Sequence, residues 1–386
     1  MWAALAPIGR EPGTGGYRRY AWTSVDAELR EWFAGEAAAR GLDAVPDRAG
    51  NLWAWWGDPD ARPGLVLGSH LDSVPDGGAY DGPLGIVSAF AAIDVLRADG
   101  FAPSVPVGVV CFCDEEGARF GIACAGSRLL TGVLDPDRAR GLRDGAGISM
   151  AEAMTSAGHD ASRVGRDDET LRRIGTFVEL HVEQGRGLVD LGRPVGVGTS
   201  IWPHGRWRLR LAGEANHAGT TRLVDRRDPM LDLATVIAVA RESAEAQGCV
   251  ATVGKVIVEP NGVNAIPSAV TAWLDARGPA QDAVRAVASA VAAAGRTQAV
   301  EESFTPDTAF DPALARRLAS LLGDAPQLGT GAGHDAGILA NAGIPAAMLF
   351  VRNPTGVSHS PAEHAELQDC LAGVTALAAV AALLSG

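Results

Sequence analysis

LVLGSHLDSVPDGGAYDGPLGIVSAFAAIDVLRA, residues 65 to 98, changes character twice. Leu65 to His70 is a short apolar run that predicts a strand. The next stretch is rich in Gly, Asp and Pro, as a loop is. Gly85 to Ala98 then carries apolar residues at helical spacing. Two further apolar runs, Val105 to Cys113 and Thr176 to Val182, repeat the theme. Strands alternating with helices predict an α/β domain whose mostly parallel sheet is covered by helices. In such sheets functional residues gather at the carboxyl ends of strands. His70, Asp114 to Glu116 and His181 all fall there.

From about residue 203 the rhythm changes. A strand (207 to 211), a helix (228 to 247), two strands (250 to 258 and 269 to 276), a helix (281 to 294) and a strand (297 to 303) follow in turn. That β-α-β-β-α-β order is ferredoxin-like. Beyond Pro312 the α/β pattern returns, with a strand over Ala346 to Val351 and a final helix from Glu363 onward. The expected organisation is one domain made of residues 1–202 and 311–386, interrupted by a smaller inserted domain over 203–310.

The 386 residues are 47% hydrophobic and 20% charged, an ordinary globular composition. Thirty-three Lys and Arg against 46 Asp and Glu leave a formal charge of −13, which repels phosphate backbones and excludes nucleic acid as the expected partner. Cys111, Cys113, Cys124, Cys249 and Cys370 show no paired or metal-knuckle spacing, so a reducing cytoplasm is expected. The N-terminal residues lack the basic and apolar regions of an export signal. The apolar run Leu371 to Leu384 is shorter than the roughly 20 residues of a membrane span, predicting a buried helix and no membrane partner.

Three acids, Asp114, Glu115 and Glu116, follow the strand over 105 to 113. An isolated trio of this kind is ordinarily a solvated loop. Here its neighbours change the reading. In an extended chain adjacent residues face opposite ways, which predicts different jobs for Glu115 and Glu116. His70, Asp81, Glu116, His181 and His359 are donors of the type that hard or borderline metals take, enough for three per ion if Asp81 bridges two. Two divalent cations would lower the pKa of a water between them. Glu115, not itself a ligand, is the candidate to move the proton. Asp72 is expected to accept the other ring N–H of His70.

The motifs GSHLDSVPDGGAYDGPLG, DEEGARFG, ELHVEQG, ANHAGTT, NAIP, LDAR, GAGHDA and GVSHSP run in order along nearly the whole chain. Together they resemble the amidase, hydantoinase/carbamoylase family of two-metal exopeptidase-like hydrolases, which includes allantoate amidohydrolase and N-carbamoyl-L-amino-acid hydrolase. The resemblance implies a homodimeric amidohydrolase with two divalent ions per subunit (zinc, manganese or cobalt). His70, Asp81 and His181 would surround one ion, and Asp81, Glu116 and His359 the other, with Glu115 as base. It implies cleavage of the ureido or carbamoyl C–N bond of a small carboxylate. N-acyl or N-formyl amino-acid deacylation, dipeptide hydrolysis and a catalytically silent binding protein are the alternatives. The inserted domain would act as lid and dimer contact. His217 would reach the partner's oxyanion, Asn264 the substrate amide or carbonyl, and Arg277 a carboxylate; Gln184 and His334 would line the pocket. Arg277 read without the family is a surface ion pair. Arg352 to Thr355 depart from the family's pattern, which bears on substrate choice, and Thr330 departs mildly.

Overall fold

The computed structural model describes residues 1–386. The chain divides into two compact units, Met1–Ser200 with Ala309–Gly386, and Ile201–Thr308.

The first unit is built on a nine-stranded sheet, seven of whose strands lie in the order Ala44–Pro46, Leu52–Trp56, Val107–Phe112, Gly64–His70, Ile174–Val182, Ala346–Val351 and Val195–Ile201. The middle four, from Val107–Phe112 to Ala346–Val351, are mutually parallel. Leu52–Trp56 and Val195–Ile201 flank them antiparallel. Every residue of Gly64–His70, Val107–Phe112 and Ala346–Val351 is buried, which is why these strands read as unbroken apolar runs and not as an alternation. Leu65, Leu67, Val107, Val109, Val178, Leu180 and Leu349 share one apolar core with Phe33 of helix Ser24–Ala38, Phe90 and Ile93 of helix Pro83–Ala98, and Leu377 and Val380 of the C-terminal helix.

That last helix spans Leu367–Ser385 and not 363 onward. Gly373 admits it to the core, since a Cβ there would lie 2.6 Å from Val351 Cγ2. The helix over 83–98 starts two residues before the expected Gly85, because Pro83 can occupy a first turn that needs no amide donor.

The second unit pairs Ala299–Thr305, His204–Ala212, Ala269–Arg277 and Val250–Glu259, in that spatial order, all antiparallel. Helices Pro229–Gln247 and Gln281–Ala294 complete a β-α-β-β-α-β succession. Trp207, Leu209, Leu211, Val270, Ala272 and Leu274 of the sheet pack with Val236, Ala240, Val284, Val287 and Val291 of the helices. Asp228 caps the first helix by accepting from the Met230 amide.

Candidate metal centre

Because the four central strands of the first unit are parallel, their carboxyl ends share one edge. His70 ends its strand, His181 is the penultimate residue of its own, Asp114 to Glu116 follow Phe112, and the loop leading to His359 follows Val351. Topology thus brings together residues nearly 300 positions apart in sequence.

The three acids do not stay extended. The strand stops at Phe112, and Asp114 adopts a left-handed φ of 53°, which turns the chain out of the sheet. The alternation argument therefore fails, and a turn separates the acids instead. The buried Asp72 carboxylate pins that turn: Oδ1 accepts the Glu115 amide at 3.1 Å and Oδ2 the Glu116 amide at 2.9 Å. This gives Asp72 a role beyond the one expected of it. The ring Nδ1 of His70 lies 3.1 Å from the main-chain carbonyl of Asp72 and 3.5 Å from its carboxylate, so the carbonyl is the nearer acceptor.

His181 Nδ1 is likewise taken by a main-chain carbonyl, that of Val182, at 2.9 Å. In both rings the Nδ1–H donates outward, which leaves the Nε2 lone pair facing inward. Both Nε2 atoms are buried and have no hydrogen-bond partner. They converge on Asp81 Oδ1, at 3.6 Å from His70 and 3.2 Å from His181. The other Asp81 oxygen, Oδ2, lies 3.4 Å from His359 Nε2, which in turn is 3.6 Å from Glu116 Oε2. One carboxylate thus serves two triads, His70/Asp81/His181 and Asp81/Glu116/His359, and the ligand atoms within each lie within 4.8 Å of one another. Gly82 makes room for the first triad, because a Cβ there would lie 2.5 Å from the His70 ring.

The electrostatics favour a cationic occupant. Asp72, Asp81, Asp114, Glu115, Glu179 and Asp335 are all buried. Burial pushes the Glu115 carboxyl well above its usual range, with Asp335 and Glu116 adding to the effect against the pull of His70. Burial, then the Asp81 charge, pushes Glu116 up to about 8. Asp81 is the exception: burial opposes its charge, but His181 and His70, when each also carries a proton on Nε2, outweigh it and hold the group well below the carboxylate range. Buried carboxylates that repel one another, next to bare imidazole nitrogens, form a donor set that fits a divalent ion.

A third cluster, Glu179, His181 and His334, has the same spacing. Its Glu179 carboxylate is already engaged by the Ser69 hydroxyl at 2.9 Å and the Ala336 amide at 3.1 Å. Glu179 sits two residues before His181 on one strand face, a position that reading the motif as a block passed over. His334 is buried with neither ring nitrogen hydrogen-bonded, and its ring meets His181 edge-on at 4.5 Å. Burial, reinforced by His181, holds it well below the usual histidine range and therefore neutral.

Gln184 is tied to the centre, donating to Asp81 Oδ2 at 2.9 Å and to Ser358 at 3.2 Å. Glu115 lies next to it too, with Oε2 3.8 Å from His70 Nε2 and Oε1 accepting from the Cys124 thiol at 3.3 Å. The departing residues 352–355 are explained by packing. Arg352 pairs bidentately with Asp369 of the C-terminal helix, and the fully buried Asn353 closes the turn by accepting from the Thr355 and Gly356 amides.

In the second unit, a two-stranded ribbon sets His217 opposite Ala265, and the Ala218 amide donates to the Asn264 carbonyl. The Gly219 amide donates to His217 Nδ1 at 3.0 Å, so a neutral ring carries its proton on Nε2 as a donor. Arg277 ends its strand with its guanidinium on Asp275, at 2.8 and 3.3 Å.

Fold and donor set together define a metal-dependent hydrolase on a parallel α/β sheet. The sequence profile of peptidase family M20/M25/M40 matches residues 66–383, and the chain belongs to that family, alongside its hydantoinase/carbamoylase amidases. It is 39% identical to the N-carbamoyl-L-amino acid amidohydrolase of Geobacillus stearothermophilus, covering 97% of this chain and 94% of the relative. Identity to the allantoate amidohydrolase of Escherichia coli strain K12 is 33%, covering 97% and 94%. The crystal structure of an amidase of the hydantoinase/carbamoylase family from Burkholderia multivorans superposes with a TM-score of 0.86 at 29% identity, covering 100% of this chain and 96% of that one.

Proposed function

We propose that the protein hydrolyses the ureido or N-carbamoyl C–N bond of a small carboxylate, using two divalent cations per subunit. The observation that carries this reading is Asp81, whose two oxygens face separate sets of ligand atoms. His70, Asp81 and His181 would hold one cation, and Asp81, Glu116 and His359 the other, zinc, manganese and cobalt all suiting these donors. Such cations supply Lewis-acid polarisation and acidify water, which amide hydrolysis near neutral pH requires.

Glu115 takes the proton from the attacking water and delivers it to the leaving nitrogen. The carbamate product decomposes to ammonia and CO2. His217 of one subunit donates its Nε2–H to the oxyanion formed in the other subunit of the dimer, a contact worth on the order of 3 kcal/mol in the transition state. Asn264 holds the substrate amide or carbonyl, Arg277 clamps the carboxylate, and the neutral His334 and Gln184 line the pocket.

The second unit supplies the dimer contact in this reading. Val250–Glu259 is an edge strand with Val250, Val256 and Ile257 exposed at 58%, 39% and 45%, the kind of edge that pairs with a second copy. Five free cysteines support a reducing, cytoplasmic location.

The test is ammonia release by purified protein loaded with zinc, manganese or cobalt. The panel comprises allantoate, N-carbamoyl-L-amino acids, β-ureidopropionate and N-formyl-L-glutamate. Turnover of a carbamoyl or ureido acid above the formyl acid is expected, and no hydrolysis of any member overturns the reading.

A further inference from the structure

One buried acid at the centre has no role so far. Glu363 lies in the segment expected to start the final helix, four residues past His359, and is 5% exposed. Its Oε1 accepts the main-chain amides of Tyr80 and Asp81, each at 2.9 Å. Its Oε2 lies 3.0 Å from the Ser358 hydroxyl, which is also 3.2 Å from Asp81 Oδ2. Gly78 is the complement of this contact: a Cβ there would lie 2.4 Å from Glu363 Oε1 and 2.5 Å from its Cβ. Gly78 is not among the glycines with positive φ, so room for Glu363, not backbone freedom, is what the position requires.

Glu363 therefore grips the Asp81 loop by its backbone and the His359 loop through Ser358. Asp81 and His359 sit on loops that no strand pairing joins, following different strands. Their mutual placement within 3.4 Å needs a separate constraint. We propose that Glu363 is a positioning residue, a clasp that sets Asp81 against His359 and so holds together the half of the centre formed by Asp81, Glu116 and His359. The proposal rests on the cation reading above.

The clasp works through acceptor geometry, so its conservative variant is expected to rescue it. In Glu363→Gln the amide oxygen still accepts from Tyr80 and Asp81, and the new NH2 donates to Ser358, whose hydroxyl turns to Asp81. In Glu363→Ala both amides lose their acceptor. Gly78→Ala displaces Glu363 without changing any acid.

The experiment loads each protein with zinc or cobalt(II) and measures cations per subunit by elemental analysis. Affinity is measured by competition with a chelator, and the ligand field by cobalt absorption. Circular dichroism and melting of the metal-free forms report folding. Wild type and Glu363→Gln are expected to agree within about threefold. Glu363→Ala and Gly78→Ala are expected to weaken one of the two cations by 10–100-fold, the range for removing a group that orients a ligand, and to change the cobalt spectrum. Wild-type affinity in a folded Glu363→Ala or Gly78→Ala overturns the clasp and leaves the cation reading standing. Loss in Glu363→Gln equal to that in Glu363→Ala also overturns it. If Glu363→Ala does not fold, Gly78→Ala and Glu363→Gln decide. A wild-type protein that binds no cation overturns the reading on which the clasp rests.

Discussion

Asp72→Asn separates two accounts of one buried carboxylate. In the structure its two oxygens accept the Glu115 and Glu116 amides at 3.1 and 2.9 Å. Asparagine offers one acceptor oxygen, so one amide would face an NH2 group. A charge-assisted hydrogen bond contributes about 1.5–3 kcal/mol, and a buried donor left without a partner costs about 1–3 kcal/mol. These overlap, and a net loss of about 2–4 kcal/mol is expected. The measurement is urea unfolding of the metal-stripped protein followed by circular dichroism, read as a lower midpoint at unchanged slope. Turnover is expected to fall about 100-fold, because the turn that aims Glu115 is loosened. Cation content is expected to stay at the wild-type value, since the acceptor nearest His70 Nδ1 is a main-chain carbonyl that the substitution preserves. Stability within about 0.5 kcal/mol of wild type would refute the pinning argument, a difference typical of unremarkable surface changes. Lost cation would return Asp72 to the role of steering His70.

Glu115→Gln is expected to keep both cations while turnover falls by about 10²–10⁴, the range for a proton-transfer group; a lost cation in elemental analysis would make Glu115 a ligand. His359→Ala is expected to lose one cation and retain the other, and full occupancy would remove His359 from the ligand set. Mixing His217→Ala subunits with Glu115→Gln subunits is expected to restore activity if His217 acts across the dimer, and silence in verified heterodimers would exclude that. Ile257→Glu on the edge strand is expected to convert a dimer to a monomer in light scattering, and an unchanged dimer would locate the contact elsewhere.

Local pattern settled much of the protein. Largely apolar runs of six to nine residues marked the parallel strands, because strands buried on both faces are mostly apolar. Metal-type donors at those strand ends were legible for the same reason: parallel strands send their carboxyl ends to one edge wherever they lie in sequence. The β-α-β-β-α-β order of the second unit was readable because each of its elements is continuous in the chain.

Tertiary structure decided what depends on contacts between distant segments. No pattern in CDEEG tells that Asp114 turns left-handed or that Asp72 holds the next two amides, since the acceptor lies over 40 residues upstream. Glu363 stands in the sequence at the expected start of the final helix. Its stronger partners are the amides of Tyr80 and Asp81, which only the packed loops deliver. Arg352 and Asn353 stand out in the sequence as a departure bearing on substrate choice, and the fold adds that they anchor a helix and close a turn. Sequence carries periodicity and donor type, which are local. Which oxygen of Asp81 faces which histidine depends on how separate loops pack against one another, and only the folded chain sets it.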